Sequence, residues 1–131
     1  MSLFDMTGHV ALITGSSRGI GKAIAEEMAL FEEAKNSGDN ERAWTALERA
    51  HIVSQPYLGP HLASHWAMLR FALGEQDARE VAGQIFRLAL APLGAISGRI
   101  PKGNTGRANV SAFKAMPTPA DLESRLKEYR P

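Results

Sequence analysis

Apolar residues return every three to four positions along most of the chain, and polar or glycine-rich breaks divide that rhythm into helices. From Gly19 to about Asn36 the step is kept by Ile20, Ala23, Ile24, Met28, Leu30, Phe31 and Ala34. Ser37-Gly38-Asp39-Asn40 interrupts it, with Asp39 or Asn40 as the next N-cap. A second helix is predicted from about Glu41 to Ser54, with Ala43, Trp44, Leu47, Ala50 and His51 on one face. After the connection Gln55-Pro56-Tyr57-Leu58-Gly59-Pro60, a third runs from about Pro60 to Leu73, its proline tolerated in the first turn. A fourth spans about Asp77 to Leu90 and meets Pro92. Residues 93–117 are rich in Gly, Asn, Ser and Pro and read as a long loop, and Pro119–Tyr129 as a short amphipathic closing helix. The expected fold is all-α: an antiparallel bundle of about four main helices plus a short C-terminal helix, preceded by a strand-like or extended arm.

The arm has a different pattern. His9-Val10-Ala11-Leu12-Ile13-Thr14-Gly15 is a short apolar run stopped by glycine, as in a buried parallel strand. Glycines at 15, 19 and 21 then open a helix, an arrangement that aims free N–H groups at an anion. With Thr14-Gly15-x-x-x-Gly19-Ile20-Gly21, residues 5–29 resemble the N-terminal cofactor-binding segment of short-chain dehydrogenases/reductases. The resemblance implies that Gly15, Ser17, Arg18, Gly19, Ile20 and Gly21 would line the pyrophosphate and ribose end of NAD(P). The rest of that family's pattern is missing: Tyr57 and Tyr129 do not form Tyr-x-x-x-Lys, and no further strand–helix alternation follows. NAD(P) binding and dehydrogenase catalysis are therefore not expected. The reading divides the chain into a truncated, chimeric fragment at 1–29 and a helical domain at 30–131. A lone apolar strand is unstable by itself, so residues 9–14 should pair with another copy, pack as an extended arm on the helices or become helical; the partner expected is another copy in a homo-oligomer, a dimer in the simplest case.

Bulk properties narrow the function classes. The 131 residues fit one core, and 44% apolar with 22% charged residues is ordinary for a globular chain. A net charge of +1 gives no surface for nucleic acid. The absence of cysteine removes disulfides and thiolate ligands. No apolar run approaches the roughly 18–20 residues of a membrane span, and the N-terminus does not read as a secretory signal, so a cytoplasmic location is expected.

Three segments, Leu47–Gln55, Pro60–Leu69 and Gly103–Phe113, carry a second resemblance. Over residues 30–129 the chain resembles a family of small bacterial proteins catalogued as a domain of unknown function, number 3703. That resemblance implies no established activity.

Three of the four histidines fall within fifteen residues. Glu48 and His51 are i,i+3 on the second helix, and His61 and His65 are i,i+4 on the third, so each pair shares a face. In an antiparallel hairpin the levels match, and the three imidazoles converge near its closed end with Glu48 a turn deeper. His51, His61 and His65, with Glu48 or water in a fourth position, would suit a divalent transition metal, Zn, Ni, Cu or Fe. The competing reading keeps these histidines as hydrogen-bonded core residues against tryptophan, with Ser54, Ser64 or Gln55 as partners. Metal binding, sequestration or sensing is thus one expectation, and an interaction or self-association module without metal the other. Arg99, Lys102, Arg107 and Lys114 form either a basic lip or a solvated loop.

Overall fold

The structure, a computed structural model, describes residues 18–128. Among these described residues are five helices: α1 (Arg18–Asn36), α2 (Asn40–Ser54), α3 (Leu58–Gly74), α4 (Ala78–Ser97) and α5 (Ala120–Glu128). The predicted strand at 9–14, and with it the oligomerising arm, lies outside the described residues, as do Gly15 and Ser17 of the glycine turn. Arg18 to Gly21 form the first turn of α1, where Ile20 packs against the apolar core.

Each boundary has a local cause. Gly38, at φ +77°, ends α1 in a left-handed turn. Asp39 and Asp77 cap α2 and α4, their carboxylates accepting from Arg42 N and Glu80 N at 3.1 and 3.0 Å. α4 runs on through Pro92, where the sequence pattern placed its end. Proline forfeits its own rung of the helical ladder, but the stop comes six residues later at Gly98 (φ +70°), where the N–H groups of Gly98 and Arg99 both return to Gly94 O.

α2 and α3 form an antiparallel hairpin: Ser54 faces Ser64 beside the connection, while Trp44 meets Phe71 and Glu75 at the far end. α1 packs along α2, and α4 along α3. The apolar core joins Ala23, Met28, Phe31, Ala43, Leu47, Val53, Met68, Ala72 and Leu122. Alanine at several of these positions lets the helix axes approach, and the larger side chains fill the remaining space. Phe31, Phe71 and Trp44 close one end with edge-on contacts at 5.4 and 5.0 Å. α5 docks through Leu122 and through charges: Arg49 bridges Glu27 and Asp121, and Arg125 pairs with Glu26 and Glu27. None of the described helices is long and apolar enough to cross a membrane.

Candidate metal centre

The helical phase of α2 sends His51 into the hairpin one turn beyond Leu47, and the i,i+4 spacing of α3 sends His61 and His65 to meet it. All three are buried. Their Nε2 atoms form a nearly equilateral triangle: His51–His61 3.0 Å, His51–His65 3.1 Å and His61–His65 3.2 Å.

The opposite ring nitrogens decide what these contacts are. His51 Nδ1 lies 2.9 Å from the carbonyl oxygen of Asn104, which can only accept, so Nδ1 carries the proton. His65 Nδ1 lies 2.8 Å from Gln84 Oε1. The Gln84 amide is oriented by its own donors, Nε2 giving hydrogen bonds to Glu80 Oε1 and Gly106 O at 2.8 Å each. His65 Nδ1 is therefore also a donor. Both Nε2 atoms are left with bare lone pairs pointing at each other across 3.1 Å. His61 Nδ1 is buried without a partner, so a proton on His61 Nε2 could serve only part of the triangle. Burial pushes the pKa of His51 well below its ordinary value, that of His61 down, and that of His65 to about 4; neighbouring imidazoles add to the effect at His51 and His65. Near neutral pH the rings are uncharged, and their Nε2 atoms converge on one point.

The loop after α4 supplies most of the outer support. Asn104, itself buried, fastens the loop by donating from Nδ2 to Ser111 O and Lys114 O, and its Oδ1 accepts from Gly106 N. Gln55 Nε2 donates to Pro101 O, and Gln55 Oε1 accepts from Gly103 N. Gly106 lies flat against the His51 ring at φ +82°, and a Cβ there would come within 3.0 Å of three ring carbons. Glu80 accepts from Ala108 N and pairs with Arg107.

The sequence-predicted residues thus divide. His51, His61 and His65 come together. Glu48 is drawn elsewhere: its carboxylate meets Arg107 Nη1 at 3.2 Å, and burial raises its pKa against the opposing pull of that arginine. Arg107 stacks 3.7 Å over Trp44 and is taken up by Glu48 and Glu80, so it does not belong to an open basic lip. Ser54 and Ser64 return their hydroxyl protons to the carbonyls of His51 and His61 and leave the imidazoles alone. Trp44 donates to Glu75. The residues missed by sequence reasoning are Gln84, Asn104, Gly106 and Glu80. The i,i+4 pair Glu80 and Gln84, beside a loop dense in Gly and Asn, was the available signal.

A cavity of about 510 Å³ opens above the triangle, with the three imidazoles, Gln55 and Asn104 at its polar end and side chains of α4 and the following loop as walls. The fold and site define a helical-bundle protein with a buried three-histidine cluster under an apolar cavity. The chain belongs to the family described as protein of unknown function (DUF3703), whose model matches residues 18–126 and so spans His51, His61, His65 and their loop partners. No curated protein and no solved structure matches the chain.

Proposed function

We propose that this protein binds one divalent transition-metal ion through the Nε2 atoms of His51, His61 and His65, with its remaining coordination positions open to the cavity. The observation that carries the reading is the triangle of buried Nε2 atoms, two of whose rings have their tautomers fixed by Asn104 O and Gln84 Oε1. Ligating histidines ordinarily give their other N–H to a carbonyl or carboxylate in this way. At the usual metal–nitrogen distance of about 2.0–2.1 Å, three nitrogens on one ion stand about 3.3–3.4 Å apart if tetrahedral and about 2.8–3.0 Å if on one face of an octahedron. The spacings of 3.0–3.2 Å fall between the two, so Zn, Ni, Cu and Fe all suit the donors. Such a site would sequester or sense the metal, in keeping with the cytoplasmic location expected from the sequence.

Elemental mass spectrometry of untagged protein, beside the double variant His51→Ala/His65→Ala, tests this. About one equivalent of a transition metal per chain, absent from the variant, is the expected result. A metal-free protein that takes up no Zn²⁺, Ni²⁺ or Cu²⁺ on addition would return the histidines to a structural role.

A further inference from the structure

The cavity holds a second unpaired chemistry beside the histidines. Arg87 projects from α4 into its lining and is only 7% exposed. Its Nη2 donates to Val110 O at 2.6 Å, a neutral acceptor. The opposing charge acting on it is that of Glu80, whose oxygens are already engaged by Arg107, Gln84 Nε2 and Ala108 N. The guanidinium lies close enough for its charge to act on both His51 and His65. A buried cation whose counter-charge is shared with another arginine and held by other donors is costly, and a metal ion over the histidines would add a second cation. Among the described residues the lining carries a further cation, Arg99, and no carboxylate. The walls are apolar, with Leu90, Leu93, Ile100 and Phe113 facing the space.

We infer that this cavity binds a small organic carboxylate with an apolar body, its anionic end set between Arg87 and the open face of the metal. The planar fork of a guanidinium matches a carboxylate with two parallel hydrogen bonds, and a second oxygen lone pair remains for an ion. The volume is within the range of small-molecule sites, and the division into apolar wall and a few convergent polar groups is theirs also. A phosphate would satisfy the charges but leave the walls wet. A neutral hydrocarbon would fill the walls and leave both cations unmatched.

The inference rests on the metal reading for one of its two cations, and the test separates them. Octanoate is titrated calorimetrically into the full chain loaded with Zn²⁺, with 1-octanol, acetate and inorganic phosphate as comparators and metal content measured in every sample. Octanoate is expected to bind at least about tenfold more tightly than each comparator, and Arg87→Met to weaken it by about tenfold or more while the metal stays bound. Leu93→Asp places a carboxylate on an exposed part of the wall, where the fold is indifferent to it, and should weaken octanoate likewise. Octanoate binding no better than 1-octanol or phosphate, or indifferent to both substitutions, overturns the inference. If the protein takes up no metal, the metal reading fails alone. Octanoate binding to the metal-free chain, weakened by Arg87→Met, then still upholds the anion site, and its absence sinks it.

Discussion

Leu47 and His51 stand four residues apart on α2, and both are buried, yet they face regions of different make-up. Around Leu47, Met28, Met68 and Leu122 the interior is hydrocarbon, and its members are held by area and shape. Around His51 the interior is polar, and His51, His65 and Gln84 are held by named partners: Asn104 O, Gln84 Oε1 and Gly106 O. The first region tolerates exchange of one apolar residue for another of similar volume. The second does not, because a ring of the right size with the wrong nitrogen protonated leaves a buried polar atom unmatched. A short run of helix therefore passes from a part of the molecule that specifies size to one that specifies proton positions.

Truncation on the hydrocarbon side should have the largest effect. Leu47→Ala is expected to lower stability by about 2–5 kcal/mol, measured by urea unfolding, and to leave metal stoichiometry at one in the fraction that remains folded. A loss of metal at full foldedness would break the separation of the two regions.

Acid should act on the polar side alone. As pH falls below 6.5, the ordinary value, the unfolded chain takes up protons on His65 that the folded chain refuses until about pH 4. His51 and His61 are shifted in the same direction. Stability of the metal-free protein, fully present above pH 6.5, should thus be lost on the way down to pH 4, by on the order of 3 kcal/mol from His65. Urea midpoints at pH 7 and 4.5 check this, and the His51→Ala/His65→Ala variant should show a much flatter profile over the same window.

Gln84→Leu keeps volume near the histidines but removes the acceptor that fixes His65. Metal affinity is expected to fall about 10–100-fold, read by competition with a chromophoric chelator. An unchanged affinity would mean that the tautomer at His65 is set by something else. Gly106→Ala, finally, strains a left-handed backbone position by about 1–2 kcal/mol and presses on the His51 ring. A fall of a few degrees in the melting temperature, with a modest loss of metal affinity, is the expected outcome.

The hydrocarbon region was legible in the sequence along α1 and α2, because a helix writes its buried face into residue spacing: Met28, Phe31 and Ala34, and Ala43, Leu47 and Ala50, recur at three- and four-residue steps. The meeting of His51, His61 and His65 was legible for the same reason, since two helices joined by a short turn must match levels. What surrounds them was not. Asn104 and Gly106 act through backbone carbonyls in a loop, and a carbonyl oxygen is the same atom in every residue, so no side-chain pattern announces it. Glu48 has the right spacing to join His51, but that spacing carries no record of Arg107, 59 residues away, which claims its carboxylate. Pro92 was read as a stop because its lost N–H is a local fact, whereas the end of α4 is fixed by Gly98 further on.

The hydrogen bond from His51 to Asn104 closes a span of 53 residues. Translation runs from the N-terminus, so all three histidines are polymerised before the carbonyls of Asn104 and Gly106 have been made. A nascent chain that has reached Ser97 possesses every ring of the triangle and four of its helices, but nothing that tells His51 which nitrogen should keep its proton. The three imidazoles thus precede in synthesis the carbonyls that orient them, and the last third of the polypeptide, poor in regular structure, finishes an arrangement begun by the first two.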